Sequence, residues 1–142
     1  MQNLAVRKNI RLKHYDYEQD GYYFVTICCS NFQPNLEKYK KQAEEILQCL
    51  PKRFSGLKID YFVLMSTHIH AIFTFEKCRV SLGEVVRTYK SLVTKEVKAK
   101  NFWQRNYYEH IIRNENALAK IREYIQNNPD VLKIKFEEFY KM

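Results

Sequence analysis

An α+β fold, in the order strand-helix-strand-strand-helix-strand with one further helix, is predicted by three features of this 142-residue sequence. Four short runs are rich in aromatic and β-branched residues, as strands are. Two stretches between them carry apolar residues at helical spacing. A third such stretch follows the last run, opened by an asparagine and closed by a proline.

The elements follow in order. Tyr22 to Cys29 (YYFVTICC) reads as a strand buried on both faces. Asn31 to Asn35, with Pro34, is a connection. Leu36 to Leu50 places Leu36, Tyr39, Ala43, Ile46, Leu47 and Leu50 on one helical stripe, and Pro51 and Gly56 bracket its exit. Leu57 to Leu64 and His68 to Phe75 (HIHAIFTF) are two strands joined through Ser66-Thr67, a hairpin. Ser81 to Glu84 fits a capping box, in which the Ser hydroxyl and the Glu carboxylate each satisfy a free helix-end amide. The helix it opens carries Leu82, Val85, Val86, Tyr89, Leu92, Val93 and Val97 inward, with Arg87, Lys90, Lys95 and Lys98 off that stripe. Tyr107 to Ile112 is the fourth strand. Asn114 caps a last helix running to about Asn127, with Leu118, Ile121 and Ile125 as its apolar face, and Pro129 stops it.

This order is the ferredoxin-like plan: an antiparallel sheet with two helices on one face. The extra helix is free to cover the other. The whole chain, 1–142, reads as one domain, with a basic arm over 1–20 and a tail over 130–142. The fold plan alone leaves function open.

Composition narrows the class. Three Gly and three Pro exclude collagen-like and Gly/Pro-rich disordered chains. No apolar run approaches the ~20 residues of a membrane helix, and the start has no signal-peptide core, so no membrane and a cytoplasmic location are expected. Cys28, Cys29, Cys49 and Cys78 form no C-x-x-C pair, so packed, reduced thiols are expected rather than a zinc ribbon or disulfides. A net charge of +8 favours a polyanionic partner. No Gly-rich phosphate loop is present, and no small-molecule cofactor is expected.

His68 and His70 lie two apart in a strand, so both imidazoles project from one face while Ile69 and Ala71 point the other way. Two such rings can grip one divalent metal. On the last helix, Tyr124 sits at the edge of the apolar stripe and Asn128 lies on its side of the helix, four positions on. An amide oxygen there can complete a metal site, and a tyrosine hydroxyl can serve as a nucleophile. A pair of structural histidines and a packing tyrosine are the competing interpretation.

Together these residues resemble a family. His68-Ile69-His70 is similar to the HUH motif (His, bulky apolar, His) of the single-tyrosine transposases. Phe102 to Pro129, FWQRNYYEHIIRNENALAKIREYIQNNP, resembles the C-terminal hallmark of their REP-associated, IS200-like branch, where a Tyr-Ile-x-x-Asn-Pro segment supplies the catalytic tyrosine, here Tyr124. Gly21 to Cys28 and Leu82 to Lys95 are similar to the same group. In one departure, Ser66-Thr67 stands where the family usually has Pro-Asn or a similar pair. The resemblance implies an HUH-class enzyme of DNA transposition. It would cleave and rejoin single-stranded or hairpin DNA through a 5′-phosphotyrosine. Its metal, magnesium or manganese, would be held by His68, His70 and Asn128. Arg7, Lys8, Arg11, Lys13, Arg87, Lys90 and Arg105 are the expected DNA contacts. Monomer and homodimer both remain open. The alternatives are a domesticated, catalytically silent nucleic-acid-binding module of this fold and a two-motif H-x-T/S phosphoesterase. The residues after His70 and His110 exclude the phosphoesterase.

Overall fold

The computed structural model describes residues 20–141; the basic arm, with Arg7, Lys8, Arg11 and Lys13, lies outside the described residues. Four strands, β1 (Gly21–Cys28), β2 (Leu57–Leu64), β3 (His68–Phe75) and β4 (Tyr108–Ile112), form one sheet in the order β2-β3-β1-β4. Every neighbouring pair is antiparallel. Three helices accompany it: α1 (Asn35–Arg53), α2 (Leu82–Val97) and α3 (Glu115–Asn127). This is the expected ferredoxin-like α+β arrangement with its added C-terminal helix.

Register decides what shares a face. Cys28 pairs with His68, Thr26 with His70 and Phe24 with Ile72, while Phe24 also faces His110 across β4. The alternate residues, Tyr23, Val25 and Ile27 on β1 and Ile69, Ala71, Phe73 and Phe75 on β3, point to the opposite side. There they join Leu36, Ala43 and Leu47 of α1 and Val85, Val86, Tyr89 and Val93 of α2 in one closed core. The Tyr89 hydroxyl donates to the Ala43 carbonyl (2.9 Å), tying the two helices together. On the histidine side, Ala117, Leu118, Ile121 and Ile125 of α3 pack on Phe24, Ile72 and Ile112.

Both caps form, but the Glu84 carboxylate pairs with Arg87 instead of returning to the Ser81 amide as the capping box expects. The Ser81 hydroxyl accepts from the Glu84 amide (3.2 Å), and the Asn114 side chain from the Ala117 amide (2.8 Å). Pro51 does not end α1: the helix runs two residues beyond it, and the Phe54 amide still reaches the Leu50 carbonyl. A proline in the last turn removes one hydrogen bond at an end that would fray in any case. The tail docks. Phe136–Tyr140 forms a 3₁₀ turn, and Ile134 and Phe136 are buried with the α3 cluster. The thiols of Cys28, Cys29 and Cys78 are packed as expected, but Cys49 is exposed on α1. Among the described residues, no helix is long and apolar enough to cross a membrane.

Candidate DNA-processing site

His68 and His70 lie side by side on the α3 face, ring centroids 4.7 Å apart, and both are buried (2% and 0% exposed). Each Nδ1 meets a threonine hydroxyl: Thr67 Oγ1 on His68 (3.0 Å) and Thr26 Oγ1 on His70 (2.9 Å). Each Nε2 faces a backbone carbonyl from the segment after α3: Pro129 for His68 (3.1 Å) and Val131 for His70 (2.7 Å). A carbonyl only accepts, so here Nε2 carries the proton and Nδ1 accepts from the threonine. Thr67 belongs to the Ser66-Thr67 pair that departs from the family pattern; it contributes a hydroxyl that orients His68.

Burial lowers the pKa of both rings. His70 is pushed down to about 3, with His68 beside it adding to the effect. In His68 the downward pull of burial is opposed by the Pro129 carbonyl and the Asp130 charge. Both are therefore neutral at neutral pH, the state in which an imidazole can ligate.

Tyr124 sits on α3, half-buried at the edge of the cluster on the histidine side of the sheet, its ring 5.5 Å from that of Phe139 in an edge-to-face contact. Its hydroxyl has no hydrogen-bond partner among the described residues. One turn on, Asn128 is exposed at the C-cap, and its Nδ2 donates to the Tyr124 carbonyl (3.0 Å). The amide thus closes its own helix, and no described contact joins it to either histidine. Among the described residues no three His, Cys, Asp or Glu cluster as a metal site.

The structure distributes the expected basic residues differently from one another. α2 lies across the sheet from the histidines. On it, Arg87 pairs with Glu84 at the surface (2.9 Å). Lys90 turns inward, and its Nζ donates to the carbonyls of Gln104, Arg105 and Asn106. Burial pushes this ammonium down to about 8. Lys90 thus pins the loop before β4 and presents no free charge, something an off-stripe position could not reveal. Arg105, on that loop, is exposed.

The tail, whose aromatics follow no regular period in the sequence, belongs to this site as well. His110 stacks on Phe136 (4.0 Å, 10°) and its Nε2 meets the Tyr140 hydroxyl at 2.7 Å. Phe136 packs edge-on against Phe24, which in turn stacks with His70. The segment from Pro129 to Phe136 is therefore a strap across the histidine face, and its backbone carbonyls carry no sequence signal.

The site is thus a paired H-x-H on one face of an antiparallel ferredoxin-like sheet, with a tyrosine-bearing helix above it. The IS200-like transposase family model matches residues 16–128, and the chain belongs to that family. An uncharacterized protein of Haemophilus influenzae is 37% identical, over 87% of this chain and 88% of its own length. The REP-associated tyrosine transposase of Escherichia coli is 28% identical, over 80% of this chain and 68% of its own. Among solved structures, the REP-associated tyrosine transposase bound to a REP hairpin shares the fold. Its TM-score is 0.73 at 23% identity, over 84% of this chain and 73% of that one.

Proposed function

We propose that this protein cleaves and rejoins single-stranded DNA at hairpins, with Tyr124 as nucleophile and His68 and His70 as metal ligands. The observation that carries the reading is the histidine pair, oriented through both Nδ1 atoms on the sheet face that α3 covers. Metal-bound histidines are held in this way through the ring nitrogen that does not ligate. The threonine partners fit the role, because a hydroxyl can accept from Nδ1–H as readily as it donates to Nδ1. A proton on Nδ1 leaves the Nε2 lone pair for a ligand once the strap carbonyls withdraw. A divalent cation, magnesium or manganese, would there supply positive charge to the scissile phosphate. Asn128 would join the ligands through its side-chain oxygen, the atom that its bond to the Tyr124 carbonyl leaves free.

In this scheme the Tyr124 hydroxyl loses its proton and its oxygen attacks phosphorus. The bond to the 3′ oxygen breaks and that oxygen leaves as a hydroxyl. The 5′ phosphate remains on the tyrosine, and a second 3′ hydroxyl reverses the step. The phosphoester linkage is conserved throughout, so strand joining needs no nucleotide. Arg105, Arg87 and the basic residues of the arm would hold the DNA backbone, in a cytoplasmic setting.

The test is a denaturing gel of end-labelled hairpin DNA incubated with protein and manganese or magnesium. A covalent protein–DNA band is expected. Tyr124→Phe should abolish it with little change in stability, since the ring and its packing stay. His68→Ala should lose the band and regain part of it in excess metal. A Tyr124→Phe protein that keeps the band moves the nucleophile elsewhere. The second reading, a silent hairpin-binding module, is favoured by one observation: both Nε2 atoms are occupied by the strap. Hairpin binding with no covalent band from the unaltered protein decides for it.

A further inference from the structure

Opposite the end of β1 the chain bulges. Cys29 bridges to Trp103 and Thr26 pairs with Tyr108, so the four residues 104–107 lie across from two, Ile27 and Cys28. One ladder bond survives there, from the Gln104 amide to the Cys28 carbonyl (2.8 Å). A bulge leaves other backbone groups without ladder partners. Lys90 supplies them from α2. Its Nζ donates to the carbonyls of Gln104, Arg105 and Asn106 at 2.8, 3.2 and 3.1 Å. An ammonium has three protons, one for each of these acceptors. The Lys90 carbonyl in turn accepts from the Trp103 indole (3.3 Å), so side chain and backbone both hold the segment.

Arg105 lies within this bulge. It is exposed, and its guanidinium pairs with no carboxylate among the described residues. Cys28 pairs with His68 across β3, so Gln104 lies two strand spacings, ~10 Å, from the backbone of His68. The bulge and the histidine pair therefore share one end of the sheet. A free guanidinium there can meet a phosphate as a forked donor. Fixing the bulge beforehand spares the entropy of ordering it when DNA binds.

We propose that Lys90 is a positioning residue: by holding the three carbonyls of the bulge it presents Arg105 to a DNA phosphate near the histidine pair. The inference rests on the hairpin-binding reading above. It carries a pH signature. The groups that face the ammonium are the bulge carbonyls and Cys28 of β1; burial, opposed by Cys28, lowers Lys90 to about 8. The Cys28 thiol, pushed up to about 11 by burial, stays neutral through that range. Above pH 8 the neutral amine keeps two protons for three carbonyls, and the bulge loosens.

The experiment measures affinity by fluorescence anisotropy for a panel of labelled DNA hairpins with single-stranded flanks, and carries the tightest binder forward. At pH 7 it compares the unaltered protein with Lys90→Met, Arg105→Ala and the double variant. Each single variant should weaken binding about tenfold, the scale of one charged hydrogen bond. The double variant should be no weaker than Arg105→Ala, because Lys90 acts through that residue. A second arm follows the unaltered protein and Arg105→Ala from pH 7 to pH 9. The unaltered protein should lose affinity as pH rises through 8, and Arg105→Ala should not. All other titrating groups are common to the two proteins, and this arm decides even where Lys90→Met fails to fold. A double variant weakened about a hundredfold, the scale of two independent contacts, overturns the inference and leaves the functional reading standing. So does a single variant that binds as tightly as the unaltered protein, or the same pH dependence in both proteins. Failure of the unaltered protein to bind any hairpin overturns both.

Discussion

On the α1/α2 side of the sheet, the residues that β1 and β3 turn inward are Tyr23, Val25, Ile27, Ile69, Ala71, Phe73 and Phe75. On the α3 side the same two strands carry Phe24 and Ile72 towards one end, and Thr26, His68 and His70 towards the other. The first face is covered by two helices with a combined 35 residues. The second is covered by a 13-residue helix and a strap whose carbonyls meet two histidines. An apolar face gains stability from every residue it buries. The mixed face gives up part of that gain to keep polar groups in place, and holds its cover by fewer contacts. Stability is thus concentrated on one side, and chemistry is free to occupy the other.

The sharpest way to break this comparison is to truncate one aromatic on each side. Phe73→Ala, in the closed core, should cost about 3–5 kcal/mol in denaturant unfolding. Phe136→Ala removes the contacts to Phe24 and His110. It should cost less, because the tail can undock while the sheet and α1/α2 remain folded. It should also strengthen manganese binding by calorimetry, since undocking frees both Nε2 atoms. Equal costs and unchanged metal affinity would show that the tail belongs to the same cooperative unit as the core.

Legibility in the sequence divides along the same line. The bounds of β3 and the caps Ser81 and Asn114 followed from local pattern, because strand alternation and cap chemistry need only neighbouring residues. So did the shared face of His68 and His70, which period-two geometry requires. The docking of residues 130–140 did not follow: Phe136 and Tyr140 find His110 only through the fold, and their spacing has no regular period. The inward turn of Lys90 did not follow for the same reason, since its three carbonyl partners lie 14 to 16 residues away. The kink at Tyr39 and the left-handed Asn31 and Asn101 left only a composition signal, asparagine in a loop.

A smaller effect comes from pH, again on the mixed face. Burial, with Arg113 adding to it, pushes His110 down to about 4. The unfolded chain, with histidine near its ordinary 6.5, takes up the proton first. The contribution of neutral His110 is therefore complete above about pH 6.5 and is lost as pH falls towards 4. It reaches at most about 3 kcal/mol, reduced by the ring's partial exposure. The groups facing the ring are the Tyr140 hydroxyl and Phe136 from the tail and Arg113 at the end of β4. His110→Phe keeps a stacking partner for Phe136 and removes the titration. Urea unfolding between pH 7 and pH 4 should then show a shallower loss than in the unaltered protein, and an identical slope would exclude His110 as the source.

The smallest effect tests whether α3 is held to the sheet by charge or by packing. Arg122 reaches Asp60, at the irregular register of β2, through two bonds of 2.9 Å each, Nε to Oδ1 and Nη2 to Oδ2. The geometry is bidentate, the strong form of this pair. Yet the two side chains remain 36% and 19% exposed, so water and salt screen the attraction. Packing of Leu118, Ile121 and Ile125 on Phe24 and Ile72 involves no such screening. Arg122→Ala should therefore cost no more than about 1 kcal/mol at low salt. The cost should shrink in 1 M sodium chloride, where the screening length falls to about 3 Å. The measurement is the urea midpoint of both proteins at the two salt concentrations. A cost above about 2 kcal/mol that survives high salt would mean that Arg122 contributes through the packing of its stem. The mixed face would then be tied to edge strand β2 more firmly than its apolar contacts alone provide.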